Sequence, residues 1–283
     1  INTNIEDLNL LSKFQWYEKF DNLYKISETN ALNILENFIQ NRISNYKIGR
    51  DFPSQSYNSN LSPYIRFGLI SVNKIWHSVN SLPNSANKYH FLSELGWREF
   101  SYYQLYHFSK MEKENLQIKF NNFKWSNNHN HLQAWKLGKT GFPFVDAGMR
   151  ELWNTGFMHN RLRMIVASFL VKNLQIDWRI GEAWFWDCLI DADYASNIAG
   201  WQWAAGTGVD AAPYFRIFNP TTQGKKFDSN GIYTKKNIPE LSHIENKYLY
   251  EPWLINHNSS YPKPIIDFKQ SRINALNNFK NLK

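Results

Sequence analysis

Arg163, Asp191, Asp193 and Asn197 are the residues whose types and spacing most invite chemistry in this chain of 283 residues. Arg163 lies near the start of a mostly apolar segment, GFMHNRLRMIVASFLVK (156–172). Within it Leu162, Ile165, Val166 and Phe169 recur at i, i+3, i+4 and i+7, which predicts a helical core stripe. Asn160, Arg163 and Met164 lie off that stripe and close to one another, because residues three and four apart are neighbours on a helix. The two aspartates and Asn197 belong to a second dense run, DADYASNIAGWQWAAGTG (191–208). A cation set into an apolar helix beside carboxylates and amides suggests a buried polar ligand. The same spacing suits helix caps and ion pairs within a helical core equally well. A third set, Glu94, Trp97, Arg98 and Ser101, shares one helical face at i, i+3, i+4 and i+7. On its own, Glu94 with Arg98 is also an ordinary i, i+4 ion pair.

The elements that must position these residues read as helices throughout. Residues 1–28 are mixed polar and aromatic and read as an irregular arm. Thr29 or Asn30 can cap a helix with Leu32, Leu35, Ile39 and Ile43 facing inward. Residues 45–71 are rich in Ser, Asn, Gly and Pro and read as loop. Ser71 caps the next helix, with Val72, Ile75, Trp76 and Val79 inward, and a longer one runs over about 89–108. Residues 109–130 form a polar loop anchored by Phe120, Phe123 and Trp125. A short helix follows, stopped at Gly138 or Gly141; Pro143 then opens another that Gly156 ends. Further helices are expected around 160–175 and 182–190, with a closing one through Ile273, Leu276 and Phe279. No β-alternation persists and there is no internal repeat, so the fold class is all-α.

Aromatic residues make up 17% of the chain, with 12 Trp, which supplies stacking surfaces beyond core packing. A net charge of +8 favours an anionic partner such as nucleic acid or phosphates, although many solvated surfaces are basic without a function. Cys188 is the single cysteine, which excludes an intrachain disulfide and suits an intracellular setting; its neighbours read as core rather than as a nucleophile's surroundings. No apolar run is long enough to span a membrane. The N-terminus has no signal-peptide pattern and no initiator Met, which suggests a fragment or trimmed chain.

Taken together, WREF, GKTGFPFVDAGMREL, GFMHNRLRM, IDWR, DADYASN, GWQWAAGTGVDAAPYFRIFNPTTQG and EPW resemble the photolyase/cryptochrome family, most closely the bacterial cyclobutane pyrimidine dimer photolyases. The resemblance covers roughly residues 29–270, and the long GWQWAAGTGVDAAPYFRIFNP run is its most specific part. It implies a multi-helical domain over 29–283 that binds DNA and holds FAD in a bent form. The α/β antenna domain that precedes it in full-length members has no counterpart in this sequence. FAD alone is therefore expected, active in its reduced anionic form, with no antenna pigment and no metal.

Carried over by position, Tyr46, Asn58, Ser59, Asn60, Leu61 and Ser62 would contact FAD. Asn58 stands where the family usually has Thr; an amide still donates a hydrogen bond. Glu94, Arg98, Arg163, Asp191, Asp193 and Asn197 complete the expected cofactor set, with Arg163 beside the flavin and Asn197 at its N5. Asn173 departs from relatives that carry Asp, implied to pair with the flavin-side Arg, so a flavin reduced at least as readily is expected. The implied lesion pocket is Glu94, Trp97, Arg98, Asn160, Arg161, Met164 and Trp203. Of these, Glu94, Trp97, Asn160, Met164 and Trp203, with Asn197, carry the catalytic expectation, while Trp97, Arg98, Asn160, Arg161 and Trp203 contact DNA. Arg50, Arg216 and Lys226 would grip phosphates around the lesion, and Trp201, Trp178 and Trp125 would relay electrons to an oxidised, photoexcited flavin.

The activity implied is that of a deoxyribodipyrimidine photo-lyase, a carbon–carbon lyase acting on ultraviolet-damaged DNA. The expected protein is a cytoplasmic monomer, associated with the nucleoid when on DNA. A six-four photoproduct enzyme would need a His pair where Asn160 and Met164 stand. A cryptochrome-like photoreceptor and a non-repairing flavin- or nucleic-acid-binding protein are the remaining alternatives.

Overall fold

The computed structural model describes residues 4–8, 10, 15–20, 22–255 and 260–282. Among these there is no strand, and thirteen α-helices carry the fold. They are α1 (Glu28–Asn41), α2 (Tyr46–Gly49), α3 (Ser62–Arg66), α4 (Val72–Asn80) and α5 (Ala86–His107). Next come α6 (His129–Lys136), α7 (Pro143–Thr155), α8 (Asn160–Ser168), α9 (Trp178–Cys188) and α10 (Tyr194–Ala205). The last three are α11 (Pro220–Phe227), α12 (Ile232–Asn237) and α13 (Phe268–Lys280).

Local chemistry accounts for most boundaries. The Ser71 hydroxyl accepts the Lys74 N–H at 3.1 Å and starts α4, whose Ile75 and Val79 are buried while Trp76 faces solvent. Ser85 starts α5 in the same way, three residues before the expected bound. Pro143 sits in the first turn of α7, and Gly156, left-handed at φ 67°, ends it as expected.

Other expectations need correction. Ser27, rather than Thr29 or Asn30, caps α1 through the Asn30 N–H. The buried face of α1 is Ala31, Leu35 and Phe38, while Leu32 is exposed. The expected loop over 45–71 contains α2 and α3. The helix expected to 175 changes at Phe169 into one π-turn (Phe169–Asn173), and α9 begins at Trp178 rather than 182. In α13 Ser271 and Ala275 are buried, whereas Ile273 is exposed.

Of the expected arm, residues 1–3, 9, 11–14 and 21 lie outside the described residues. The described part lies against the end of α7. There the Tyr24 hydroxyl donates to the Thr155 carbonyl at 2.8 Å and the Lys19 ammonium to that of Trp153.

Three apolar clusters form among the described residues, the smallest of them around Phe120, Phe123, Tyr214 and Ala275. Another joins α1, α4 and the first half of α5 through Phe38, Ile75, Phe91 and Leu95. The largest joins α6 to α10 with α11, α12 and the chain to Tyr261, through Trp135, Phe144, Phe169, Trp178 and Trp201. α5 packs on α10, and Tyr102 of α5 donates to Asp193 at the start of α10, so the polar face of α5 is turned towards the N-terminal part of α10. Cys188 is buried in the largest cluster, which pushes its thiol up to about 12, in keeping with a structural role.

Candidate functional site

A cavity of about 820 Å³ lies between these faces, at the upper end of the range for small-molecule sites. A smaller one of about 230 Å³ shares Tyr46, Ser59, Ser62, Glu94, Arg163 and Asp191 with it. All twelve residues expected at a cofactor line one or both: Tyr46, Asn58, Ser59, Asn60, Leu61, Ser62, Glu94, Arg98, Arg163, Asp191, Asp193 and Asn197. The expected lesion residues Trp97, Asn160, Arg161, Met164 and Trp203 line the larger cavity as well.

Arg163 reaches the wall from α8 and is fixed there by three hydrogen bonds. Its Nε donates to the Met158 carbonyl at 2.8 Å, and one terminal nitrogen donates to both Asp191 oxygens at 2.9 and 2.8 Å. The Ser62 hydroxyl donates to the same carboxylate at 2.7 Å, which ties the 58–62 segment to the start of the 191–208 run. A buried carboxylate that faces a guanidinium and a hydroxyl is satisfied, so the pair is held rather than stranded. This corrects the expectation for Asn173. The partner of Arg163 is Asp191; Asn173 is buried in the π-turn, lines neither cavity and donates to the Ser271 hydroxyl at 2.9 Å. The predicted effect of Asn173 on flavin potential therefore loses its structural basis.

Asn60 adopts a left-handed φ of 58° and Leu61 is right-handed helical, an alternation that turns successive backbone N–H groups to one side. With the Ser59 hydroxyl and the guanidiniums of Arg98 and Arg163, this donor set suits phosphate oxygens. Asp193 caps α10 by accepting the Ser196 N–H at 2.9 Å, and its other oxygen accepts from the Tyr102 hydroxyl at 2.5 Å. Burial pushes the Asp193 carboxyl up, but these hydrogen bonds and nearby Arg98 bring it net below the ordinary value. Asn197 donates through its amide to the Glu182 side chain at 2.8 Å and to the Glu182 carbonyl at 3.1 Å. Burial raises the Glu182 pKa, with the Asn197 hydrogen bond opposing it.

The basic residues divide. Arg50 is bidentate on Glu94, stacks over Tyr46 at 5.3 Å and is largely enclosed, so it forms wall rather than an outward phosphate grip. The i, i+4 pair suggested by Glu94 and Arg98 does not form: Arg98 pairs with Glu99 at 2.6 Å. Arg161 pairs with Asp51 at 2.5 Å and lies 4.4 Å over the Phe227 ring. Lys226 is exposed beside that same Phe227, which places it near the Arg161 side of the cavity, although it does not line it. Arg216 is exposed on the 206–219 segment and away from the lining.

Of the three expected relay indoles, Trp201 lines the cavity, Trp178 is buried and donates to Asn115 at 2.8 Å, and Trp125 is partly buried against Phe123. Sequence reasoning missed Tyr102, Glu182 and His159. Tyr102 had a signal, since it follows Arg98 by one helical turn and the guanidinium lies 4.6 Å over its ring. His159 caps α8 through its ring nitrogen, accepting the Arg161 N–H at 3.2 Å. Burial and the neighbouring arginines push it down to about 4, so it caps as a neutral imidazole. Nothing in the spacing of Glu182 announces its bond to Asn197.

Comparison with known proteins places the fold in a family. Residues 91–281 match the family model of the FAD binding domain of DNA photolyase. A deoxyribodipyrimidine photo-lyase of Alkalihalophilus pseudofirmus is 47% identical over 92% of this chain and 58% of its own length. That of Agrobacterium fabrum is 45% identical over 94% of this chain and 58% of its own. The crystal structure of a class III photolyase from Agrobacterium tumefaciens superposes with a TM-score of 0.94 at 43% identity, covering 99% of this chain and 61% of that one. A cryptochrome from Synechocystis superposes with a TM-score of 0.84 at 33% identity, over 92% of this chain and 57% of its own. The chain thus spans a little under three-fifths of the length of the curated relatives it matches. With a helical fold, a cavity lined by the expected residues and these likenesses in agreement, the chain belongs to the photolyase/cryptochrome family and carries its FAD-binding domain.

Proposed function

We propose that this domain binds FAD and uses light to repair cyclobutane pyrimidine dimers in ultraviolet-damaged DNA. The observation that carries the reading is the convergence of two chemically different sets on one cavity. Its lining holds phosphate-suited donors at Ser59, Arg98 and Arg163 together with two flat indoles, Trp97 and Trp203. The donor chemistry fits a dinucleotide cofactor. Asn58 to Ser62 with Arg98 would hold its diphosphate, while Arg163 and Asn197 would border the flavin. Asn197 spends its amide protons on Glu182, so what it offers a ligand is a carbonyl oxygen, an acceptor for the N–H that reduced flavin carries at N5. Arg163 remains cationic within its pair with Asp191 and favours negative charge on the ring.

Bound in its reduced anionic form and excited by light, FAD supplies one electron to the dimer and receives it back, so the reaction has no net redox change. The chain's own part is positioning. Trp97, half exposed at the mouth, and Trp203 would stack on the joined pyrimidines, each contact worth roughly 1–3 kcal/mol per base. Glu94, oriented by Arg50, and Asn160 at the start of α8 would hydrogen-bond the pyrimidine edges, with Met164 packed beside them. Extrusion of the lesion into the site costs less than for an intact pair, because the dimer is already poorly stacked. Arg161 and Lys226 would lie nearer the DNA backbone than Arg50 does. Trp201, at the cavity wall, would begin the path by which an oxidised flavin is reduced, with Trp178 and Trp125 beyond it.

The working unit is proposed to be a monomer with FAD as its sole pigment. A Sulfolobus tokodaii photolyase structure, with a TM-score of 0.83 to this chain, is described as holding two FAD molecules, so pigment content is worth measuring directly. Among the described residues no helix is long and apolar enough to cross a membrane.

The test is anaerobic reduction of the FAD-loaded protein and blue illumination beside ultraviolet-damaged oligothymidine. Thymine absorbance should recover in the light, and fail to recover in the dark or with Trp97→Ala. Bound FAD without recovery would favour a cryptochrome-like or purely binding role.

A further inference from the structure

The outer face of α5 carries an aromatic row that the proposed chemistry does not use. From Trp97 at the cavity mouth it continues through Phe100, which also lines the cavity, to Tyr103 and then to His107 and Tyr106. Successive ring centroids lie 5.9, 6.4 and 4.2 Å apart, and His107 is 5.1 Å from Tyr106. The planes of Phe100 and Tyr103 differ by 12°, so both rings turn their faces the same way. The row follows the i, i+3 ridge of the helix, which is inclined to its axis and leads away from the cavity. Its far end is open to solvent, with Tyr103 60% and Tyr106 83% exposed.

Rings of this size are usually buried or put to use, and a connected set of them is an unusual way to finish a solvent face. The set is all rings, with no aliphatic residue among them to build a desolvated apolar centre for a protein partner. Lys110 and Lys113 follow directly after the helix with strongly exposed side chains, paired with Glu114 at 3.8 Å and Glu112 at 3.1 Å. Exposed flat faces in a row are what holds single-stranded nucleic acid, because every base has a face to stack.

We propose that this row is a stacking track for the DNA strand that leaves the cavity mouth. From Trp97 to His107 the helix advances about 15 Å. At roughly 3.4 Å per stacked nucleotide that accommodates about four bases next to the extruded dimer. The inference rests on the reading that the dimer enters the cavity beside Trp97. It adds where the neighbouring unpaired strand runs and why that strand would be favoured over an intact duplex at this edge.

The test is fluorescence anisotropy of the FAD-loaded protein with undamaged single strands of four and twelve nucleotides and with dimer-bearing strands of two and twelve. The variants are the double substitutions Tyr103→Ala with Tyr106→Ala, and Tyr103→Leu with Tyr106→Leu, all at exposed positions. Both should weaken binding of each twelve-nucleotide strand by at least roughly 30-fold without changing its salt dependence. The dimer-bearing dinucleotide, which reaches only the cavity, should bind as before. Unchanged affinity for the twelve-nucleotide strands in both variants overturns the track, as does wild-type affinity in the leucine pair, which would make ring stacking irrelevant. Failure of the cavity reading looks different: the wild-type protein would not prefer dimer-bearing over undamaged DNA at any length, whatever the tyrosines do.

Discussion

Replacing Gly181 with alanine tests how tightly the cavity wall is built. Gly181 lies inside α9, where a Cβ would stand 2.2 Å from Cη2 and 2.4 Å from Cζ3 of Trp201, and 2.6 Å from a methyl of Leu170. Trp201 cannot simply retreat, because Phe185 packs on it at 4.9 Å and Trp135 at 6.2 Å. Overpacking of a filled core costs about 1–3 kcal/mol, and contact from two sides puts this case at the upper end. Alanine recovers about 1 kcal/mol of helix propensity over glycine, so the net loss should be about 2 kcal/mol. Urea unfolding measures it. The decisive form is a double-mutant cycle with Trp201→Phe, since phenylalanine lacks the two ring atoms nearest the new methyl. The double variant should be more stable than the summed single effects by about 1 kcal/mol, with Leu170 accounting for the remainder. Additivity within about 0.5 kcal/mol would refute the claim that Gly181 is small to admit Trp201.

Asp191→Asn keeps the shape of the side chain but leaves Arg163 with no carboxylate. Breaking a buried pair costs about 3–5 kcal/mol, and the partial exposure of Arg163 sets the expectation near the lower figure. Thermal unfolding and an FAD titration should both fall, and an unchanged pair of results would remove Asp191 from the site. His159 provides a pH test. Its pKa is held near 4 in the fold against about 6.5 when unfolded, so the unfolded chain binds more protons between those values. Stability should therefore fall as the pH drops from about 6.5 to 4, with His159 accounting for about 3 kcal/mol. His159→Asn keeps a cap acceptor without the titration and should flatten that part of a stability–pH curve; an identical slope would show that His159 does not titrate as described.

Elements with strong local chemistry were legible in the sequence. Ser71, Pro143 and Gly156 each impose a backbone geometry by themselves, and the helices they bound appear where expected. α1 was displaced because Ser27, Thr29 and Asn30 are all competent caps within four residues, and because Ala31 hides its burial behind a small side chain. Motif resemblance names the twelve expected cofactor residues and Trp97, Asn160, Arg161, Met164 and Trp203, and these line one or both cavities, whereas Arg216, Lys226, Trp178 and Trp125 do not. The pairings inside the site were not legible. Arg163 with Asp191 spans 28 residues and Arg50 with Glu94 spans 44, distances over which helical spacing carries no information. Spacing therefore suggests Arg98, on the same helix, as the partner of Glu94, whereas the structure supplies Arg50 from the α2 side, and spacing gives no hint that Asn173 lies away from Arg163.

The claim at the centre of this account is that flavin and dimer share one cavity in electronic contact. The measurement that tests it most directly is the fluorescence lifetime of reduced FAD bound to the protein, with saturating undamaged oligothymidine and then with the same strand bearing a dimer. The lifetime should be shortened by the dimer alone, and restored to the undamaged value with Trp97→Ala at concentrations that saturate only the wild-type protein. A dimer-bearing strand that binds fully yet leaves the lifetime unchanged would contradict it.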